Sequence, residues 1–224
     1  MSPITIVFDL DGTLVDTAPD LIRATNHVLG GIGLAPVPAH EIRPLVSFGS
    51  RRMLERGLAL HQRVLPEGEL DTLWRDFLDY YAENIAIDSR PYPMIEPTLD
   101  RLLQSGARLA VCTNKMEGLS RTLLSSLGLA DRFSAICGRD TFPVCKPHPD
   151  HLTGAIIRAG GDPTNAIMVG DSDTDVDTAR AARIPIIGVT FGYTDVPMRD
   201  LRPDALIGHY DEFDAALARL VERA

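Results

Sequence analysis

From about residue 90 to the C-terminus, apolar β-branched runs alternate with amphipathic segments, and this alternation restricts the fold more than any other feature. The predicted strands are 108–112, 133–137, 166–169, 185–189 and 205–207, and the predicted helices are 96–104, 118–127, 149–159, 174–182 and 212–221. One more strand is predicted at 4–8. Such a pattern is typical of an α/β domain with helices on both faces of a parallel sheet.

Residues 16–87 interrupt this pattern, because they predict helices at 20–29, 50–60 and 69–85 without a convincing strand between them. The last of these carries an apolar stripe, which we interpret as core in preference to a ligand-binding surface. The stripe consists of Leu70, Leu73, Trp74, Phe77, Leu78 and Tyr81. We therefore predict an α/β core made of residues 1–15 and 88–224, with residues 16–87 as a helical insert.

Two carboxylates follow the first predicted strand. Side chains at i and i+2 share one side of an extended chain, so Asp9 and Asp11 can project together past its carboxyl end. Ligands bind at that edge in open α/β sheets. Because adjacent carboxylates repel and are costly to desolvate, the pair favours a bound cation or a shared proton. Gly12 allows the chain to turn away sharply, although acidic turns without a function are also common.

Polar groups also follow the later strands. Thr113 and Asn114 come after strand 108–112, where they can cradle a phosphate or simply cap a helix. Lys146 precedes a proline in a restricted loop, and its point charge suits either a phosphoryl oxygen or the solvent. Of 22 basic residues only Lys115 and Lys146 are lysines, which indicates either a role for both or an arginine-rich genome.

A second acidic cluster follows strand 166–169. Asp171, Asp173 and Asp175 offer the oxygen ligands that Mg²⁺ prefers. Segments at four predicted strand or loop ends thus offer acids, a hydroxyl, a lysine and more acids. Together they are suited to hold a metal ion and a phosphoryl group.

Composition excludes several other classes of function. The net charge of −9 leaves no basic face for nucleic acid. No apolar run approaches the roughly 20 residues that span a bilayer, and residues 1–4 lack the basic start of a secretion signal. Cys112, Cys137 and Cys145 lack zinc-ligand spacing and cannot all pair, so we expect reduced thiols and a cytoplasmic protein.

With these motifs in this order, the sequence resembles the haloacid dehalogenase superfamily of phosphohydrolases over essentially its whole length. The motifs are Asp9 to Thr13, Thr113, Lys146 and Gly170 to Asp175. The resemblance implies a Rossmann-like core and identifies the helical insert as a cap. An aspartate at position 11 favours a phosphatase over a dehalogenase, because cleavage of a carbon–halogen bond needs no such acid.

The resemblance also implies roles for individual residues. Asp9 would be the nucleophile that forms an aspartyl-phosphate, and Asp11 the general acid and then base. The carboxylates of Asp9 and Asp171 and the carbonyl of Asp11 would hold Mg²⁺, with Asp175 as a ligand or support. The phosphoryl group would be bound by Gly12, Thr13, Thr113, Asn114 and Lys146.

Within the superfamily the chain is most similar to phosphoglycolate phosphatases. The similarity implies that a cap segment, Ser47, Phe48, Gly49, Ser50 and Arg51, binds the substrate. Ser47 stands where the commoner pattern has a glycine, which leaves the substrate open. Arg51 and Arg52 can hold a carboxylate bidentately, or form an exposed pair on a helix. Movement near residues 15–17 and 86–91 would open and close the cap.

The leading hypothesis is a Mg²⁺-dependent phosphatase for 2-phosphoglycolate, acting as a monomer or homodimer. Other phosphorylated metabolites, namely sugar phosphates, amino-sugar phosphates, nucleotides and pyrophosphate, remain alternatives. A phosphomutase and a non-catalytic sensor of a phosphorylated ligand also remain open. A phosphorylatable receiver domain is disfavoured because receivers have roughly 120 residues and no helical insert.

Overall fold

The computed structural model describes residues 3–222, and its centre is a six-stranded parallel sheet. The strands are β1 (Thr5–Phe8), β4 (Arg108–Cys112), β5 (Ala135–Cys137), β6 (Ala166–Gly170), β7 (Ile186–Val189) and β8 (Ala205–Ile207). Across the sheet their order is β5-β4-β1-β6-β7-β8. The predicted α/β fold is confirmed, and each of the six strands lies within one or two residues of its predicted position.

Strand β1 occupies the middle of this sheet. Thr5 is in register with Arg108 of β4 on one side and with Ala166 of β6 on the other. All four residues of β1 are fully buried, as expected for a parallel sheet that is covered on both faces. Ile6 and Phe8 belong to one apolar cluster and Val7 to the other, because alternate side chains point to opposite faces.

Five helices supply the covering layers, in agreement with the predicted alternation. They are α5 (Ile95–Gln104), α6 (Glu117–Ser126), α7 (Pro149–Arg158), α8 (Asp173–Ala182) and α9 (Phe213–Val221). Residues of α5, α6 and α9 join the cluster of Ile6 and Phe8, whereas α7 and α8 join the cluster of Val7. No helix within residues 3–222 combines the length and the apolar character needed to cross a bilayer.

The insert after β1 is helical, as predicted, but it contains more elements than the sequence indicated. Its helices are α1 (Ala18–Gly31), α2 (Ala39–Ile42), α3 (Ser50–Leu60) and α4 (Glu69–Glu83). Helix α2 and a 3₁₀ helix, Arg43–Phe48, were not predicted, since such short turns show no helical periodicity. Helix α1 begins two residues before its predicted start because Pro19 is tolerated in a first turn.

The insert connects to the sheet through a two-stranded antiparallel ribbon that was not predicted. Strand β2 (Val15–Asp16) pairs with β3 (Arg90–Pro91), and two-residue strands leave no alternating pattern in a sequence. Beside the ribbon, the buried Asp20 carboxylate accepts hydrogen bonds from the backbone of Asp88 and from both the N–H and the hydroxyl of Ser89. The two segments that connect the insert to the sheet therefore lie side by side and are joined by hydrogen bonds.

Candidate active site

The carboxyl ends of three neighbouring strands meet at one edge of the sheet. Asp9 follows β1, Thr113 follows β4, and Asp171 follows β6. Because β1 lies between β4 and β6, the sheet brings together three segments that are more than 50 residues apart in the chain. This is the edge at which open α/β sheets bind ligands.

Three buried carboxylates form the deepest part of this site. Asp9, Asp171 and Asp175 each place an oxygen within 4.8 Å of the other two. Lys146 Nζ lies 2.9 Å from Asp9 Oδ1 and 2.6 Å from Asp175 Oδ1. Burial raises the pKa of Asp9 to about 6 although Lys146 opposes the shift, and burial together with Asp175 raises the pKa of Asp171 well above its usual value. One lysine therefore does not balance the three carboxylates.

Hydrogen bonds fix two of these carboxylates in place. Asp171 accepts one from the Thr13 hydroxyl at 3.0 Å and one from the Tyr193 backbone N–H at 2.8 Å. Asp175 Oδ2 accepts hydrogen bonds from Asp171 N and from both the N–H and the hydroxyl of Ser172, which closes a capping box at the start of α8. Asp171 and Asp175 are thus held rigidly before any ligand binds.

Glycines allow the backbone to approach Asp171 closely. A Cβ atom on Gly192 would lie 2.2 Å from the Asp171 side chain, and one on Gly12 would lie 2.4 Å from Asp171 Oδ2. Gly12 also has a φ of +88°, in the region that favours glycine. Both positions exclude larger residues because a side chain there would displace the carboxylate.

Asp11 lies beside this cluster and pairs with a different lysine. Lys115 Nζ donates to Asp11 Oδ1 at 3.0 Å and to Oδ2 at 3.2 Å, and the Thr17 hydroxyl donates to Oδ1 at 2.6 Å. The Lys115 ammonium also lies 4.6 Å from the ring centroid of Tyr81 on helix α4. Burial lowers the pKa of Lys115, but the Asp11 carboxylate more than offsets this effect, so the lysine stays charged.

Thr113 and Lys146 are connected through the segments that surround them. Thr113 Oγ1 accepts a hydrogen bond from Lys115 N at 3.2 Å, and Asn114 Nδ2 donates to the Lys146 carbonyl at 3.1 Å. The Lys146 backbone N–H donates to Nδ1 of the buried His151, whose Nε2 lies 3.0 Å from the Gly138 carbonyl. His151 therefore helps to position the loop that carries Lys146.

A cavity of about 300 Å³ lies between this edge of the sheet and the helical insert. Its wall on the sheet side includes Asp9, Asp11, Thr113, Asn114, Lys115, Arg139, Cys145 and Lys146. Its wall on the insert side includes Ser47, Phe48, Gly49, Ser50, Trp74, Phe77, Leu78 and Tyr81. The apolar stripe of α4 therefore forms both core and cavity wall, whereas the sequence pattern favours core over a ligand-binding surface.

Several polar atoms in this cavity have unused hydrogen-bonding capacity. Among the described residues, five buried side-chain oxygens have no hydrogen bond of normal geometry, and four of them belong to residues that line the cavity. They are Asp9 Oδ1, Ser47 Oγ, Asn114 Oδ1 and the Tyr81 hydroxyl. Buried polar groups are rarely left unpaired, so this concentration indicates a site that receives a polar ligand.

Four residues that the sequence offered as contacts to the substrate lie outside the cavity lining. The Arg51 guanidinium pairs with Asp71 at 2.6 Å and lies outside the cavity lining, because helix α3 directs it towards α4. Arg52 is exposed and pairs with Glu55. Gly12 and Thr13 are also absent from the lining, since both lie against Asp171.

Asp173, whose contact with a metal was left open by the sequence, is exposed on helix α8. Its Oδ1 accepts a hydrogen bond from Thr174 N at 2.7 Å. It lies outside the carboxylate cluster that the described residues form.

The family model for haloacid dehalogenase-like hydrolases matches residues 6–189, which include every strand-end segment of this site. The chain belongs to the haloacid dehalogenase-like hydrolases. Two relatives match this chain along its full length. The chain is 49% identical over 224 residues to a phosphoglycolate phosphatase of Mesorhizobium japonicum, covering 100% of this chain and 99% of that one. It is 50% identical to one of Agrobacterium fabrum, covering 100% and 94%.

A solved structure shows the same fold. The crystal structure of a predicted phosphoglycolate phosphatase from Haemophilus somnus superimposes with a TM-score of 0.88 at 30% identity. The superposition covers 95% of this hydrolase and 97% of the Haemophilus somnus chain. The helical insert and the sheet therefore occur together in a relative.

The sequence assigned no definite role in the site to three residues of this hydrolase. Lys115 was singled out only as one of two lysines, which indicated either a role or an arginine-rich genome. Tyr193, whose N–H holds Asp171, follows a glycine in a late loop, and only its nearness in space reveals the contact. His151 looks like an ordinary helix residue because its partner is a backbone amide.

The buried His151 is expected to make the stability of the hydrolase depend on pH. Burial and the nearby Lys146 charge lower the pKa of His151 from 6.5 to about 4. Between these values the unfolded chain binds a proton that the folded protein excludes. His151 therefore lowers the free energy of unfolding as the pH falls from 6.5 towards 4, by up to about 1.4 kcal/mol per pH unit, and has no such effect above this window.

Urea unfolding at several pH values, for the parent and for His151→Gln, measures this contribution. Glutamine does not titrate, so the difference in stability between the two proteins should change with pH below 6.5 and stay constant above it. A difference that is independent of pH would show that His151 does not carry this dependence.

Proposed function

We propose that this hydrolase is a Mg²⁺-dependent phosphatase that converts 2-phosphoglycolate to glycolate and phosphate through an aspartyl-phosphate at Asp9. The observation that carries the proposal is the buried cluster of Asp9, Asp171, Asp175 and Lys146, of which Asp9 and Lys146 line a small cavity. The names of the relatives that are about 50% identical over the whole chain support the substrate.

The residues present fit a divalent cation. Three carboxylates and one lysine leave the cluster with an excess of negative charge, and its donors are the hard oxygens that Mg²⁺ prefers. Asp9 Oδ1 has the Lys146 ammonium at 2.9 Å, and Asp171 accepts two hydrogen bonds, so both carboxylates retain lone pairs for a metal. The backbone carbonyl of Asp11 would complete the protein ligands. Asp175 already has one polar contact at Oδ1 and three at Oδ2, which leaves it fewer lone pairs than Asp171, so we assign it a supporting role.

A bound Mg²⁺ would neutralise charge on the phosphoryl oxygens. The protein supplies the remaining steps. Thr113, the Asn114 N–H and the Lys146 ammonium orient the phosphoryl group against Asp9. The Asp9 carboxylate attacks phosphorus, and the bond to the glycolate oxygen breaks as Asp11 donates its proton to that oxygen. Asp11 then removes a proton from water, which attacks phosphorus, breaks the bond to Asp9 and releases phosphate.

We further propose that residues 1–15 and 88–224 are the catalytic core and that residues 16–87 are a cap that controls access. The β2–β3 ribbon would be the hinge, and closure over a cavity of about 300 Å³ would exclude water and select small substrates. The cap loop would contribute Ser47, Phe48, Gly49 and Ser50. The three free cysteines support a cytoplasmic enzyme, acting as a monomer or homodimer on a small metabolite and not on nucleic acid.

Phosphate release by the purified protein tests this proposal. The substrates are 2-phosphoglycolate, sugar phosphates, amino-sugar phosphates, nucleotides and pyrophosphate, each with Mg²⁺ and with excess chelator. We expect release from 2-phosphoglycolate to be the fastest and to stop with chelator. Faster release from another compound would contradict the substrate, conversion of a sugar phosphate into its isomer would indicate a phosphomutase, and no release from any of them would favour a phospholigand sensor.

A further inference from the structure

We propose that Lys115 and the Tyr81 hydroxyl form a subsite that binds the carboxylate of the substrate. This inference rests on the proposed function and names the residues that select an anionic leaving group. It replaces the role that the sequence suggested for Arg51 and Arg52, whose guanidinium groups lie outside the cavity lining.

Lys115 has the position and the free donor that such a subsite needs. Its side chain is only 7% exposed, yet it lines the cavity, so its charge is poorly screened by water. An ammonium has three N–H donors, and the two oxygens of Asp11 accept from it at 3.0 and 3.2 Å. At least one donor therefore remains for a ligand.

Tyr81 supplies an independent observation from the opposite wall. It is 1% exposed, it lines the cavity from helix α4, and its hydroxyl has no hydrogen bond of normal geometry within residues 3–222. Its ring lies 4.6 Å from Lys115 Nζ. Burial raises the pKa of Tyr81 to about 12, so the hydroxyl stays protonated and can donate. A carboxylate between these groups would accept from both.

The chemistry of the leaving group agrees with this location. In 2-phosphoglycolate a single methylene separates the ester oxygen from the carboxylate. Asp11 would donate its proton to that ester oxygen, and Lys115 is in direct contact with Asp11. A substrate whose ester oxygen reaches Asp11 would thus bring its carboxylate to Lys115. Lys146 contacts Asp9 and Asp175, so we assign it to the phosphoryl end of the substrate and not to the carboxylate.

Arg139 is the rival cation. It lines the same cavity, it is exposed, and the structure shows no ion pair from its guanidinium to any residue between 3 and 222. Its exposure makes Arg139 a weaker candidate, because an ion pair between a solvent-exposed guanidinium and a carboxylate contributes little binding free energy.

The test compares kcat/KM for 2-phosphoglycolate with kcat/KM for 2-hydroxyethyl phosphate, which carries a hydroxymethyl group in place of the carboxylate. Tyr81→Phe keeps the buried ring and removes a hydroxyl that has no hydrogen bond of normal geometry, so it should fold with a Tm close to that of the parent. It should lower the selectivity for 2-phosphoglycolate about 10-fold, as expected for loss of a hydrogen bond to a charged group. Lys115→Met should lower the selectivity further, and it should also slow both substrates because Asp11 loses its partner.

Tyr80→Phe is the matched control, since Tyr80 is the neighbouring tyrosine on α4 and lies outside the cavity lining. It should leave the selectivity unchanged. A selectivity that falls in Arg139→Met but not in Tyr81→Phe or Lys115→Met would overturn the subsite. A parent enzyme that hydrolyses both compounds equally well would also overturn it while leaving the phosphatase intact. Hydrolysis of neither compound would overturn the proposed function itself.

Discussion

Replacing Asp9 with asparagine is expected to lower kcat for phosphate release by roughly 10⁴-fold or more, because an amide cannot form the acyl phosphate. The fold should persist. Asp9 is buried at the end of β1, and burial raises its pKa although the Lys146 ammonium, which Asp175 also contacts, opposes the shift. Removing its charge therefore relieves repulsion from Asp171 and Asp175 in the metal-free protein. The Tm in chelator should be equal to or higher than that of the parent.

The same variant should respond less to Mg²⁺. One of three carboxylates in the cluster is lost, so the rise in Tm on adding Mg²⁺ should shrink. Asp173→Asn is the matched control, because Asp173 is an exposed aspartate on the adjoining helix and outside the cluster. It should retain both activity and the Mg²⁺ response. Activity close to that of the parent in Asp9→Asn would exclude Asp9 as the nucleophile.

Replacing Lys146 with methionine is expected to have the largest effect on stability. Lys146 is 4% exposed and contacts Asp9 at 2.9 Å and Asp175 at 2.6 Å. Without it, three buried carboxylates face one another with no cation among them. Removing one partner of a buried ion pair costs about 3–5 kcal/mol, and we expect a loss of this size in chelator. Activity should fall about 10³-fold, since the charge that we propose binds the phosphoryl group is also lost.

A double variant separates this electrostatic effect from simple loss of packing. Urea unfolding of Lys146→Met, Asp9→Asn and the combination gives a coupling energy. Asp9→Asn should restore part of the stability in the Lys146→Met background, because it removes one of the uncompensated carboxylates. Strictly additive effects, or a Lys146→Met protein within 1 kcal/mol of the parent, would contradict the assigned charge balance.

The parts of the molecule that were predicted correctly share a physical cause. Buried parallel strands are continuous apolar runs, so the sequence predicts β1, β4 and β6 correctly. The polar residues that follow these apolar runs mark the ends of the strands. Adjacent strands in a parallel sheet have adjacent ends. That rule predicts from the sequence that Asp9, Thr113 and Asp171 lie at one edge of the sheet, as the structure shows.

The parts that were not predicted depend on contacts in space. The direction of Arg51 is set by Asp71 on the facing helix, which no local pattern reveals. The pairing of Lys115 with Asp11 joins residues 104 positions apart. The β2–β3 ribbon is too short for periodicity, and the role of Tyr81 as a cavity wall depends on how α4 lies against the sheet. Spacing in the sequence predicted which side chains meet at the edge of the sheet and the cap segment 47–50 in the cavity wall, but not the positions of Lys115 and Tyr81.

Chemical trapping tests most directly whether Asp9 carries the phosphoryl group during turnover. The enzyme is mixed with 2-phosphoglycolate and Mg²⁺, quenched in acid and reduced with borohydride, which converts an acyl phosphate of aspartate into homoserine. Peptide mass spectrometry should find homoserine at position 9, and only when substrate was present. Turnover of the substrate with intact aspartate at position 9, or with homoserine at another aspartate, would contradict the mechanism.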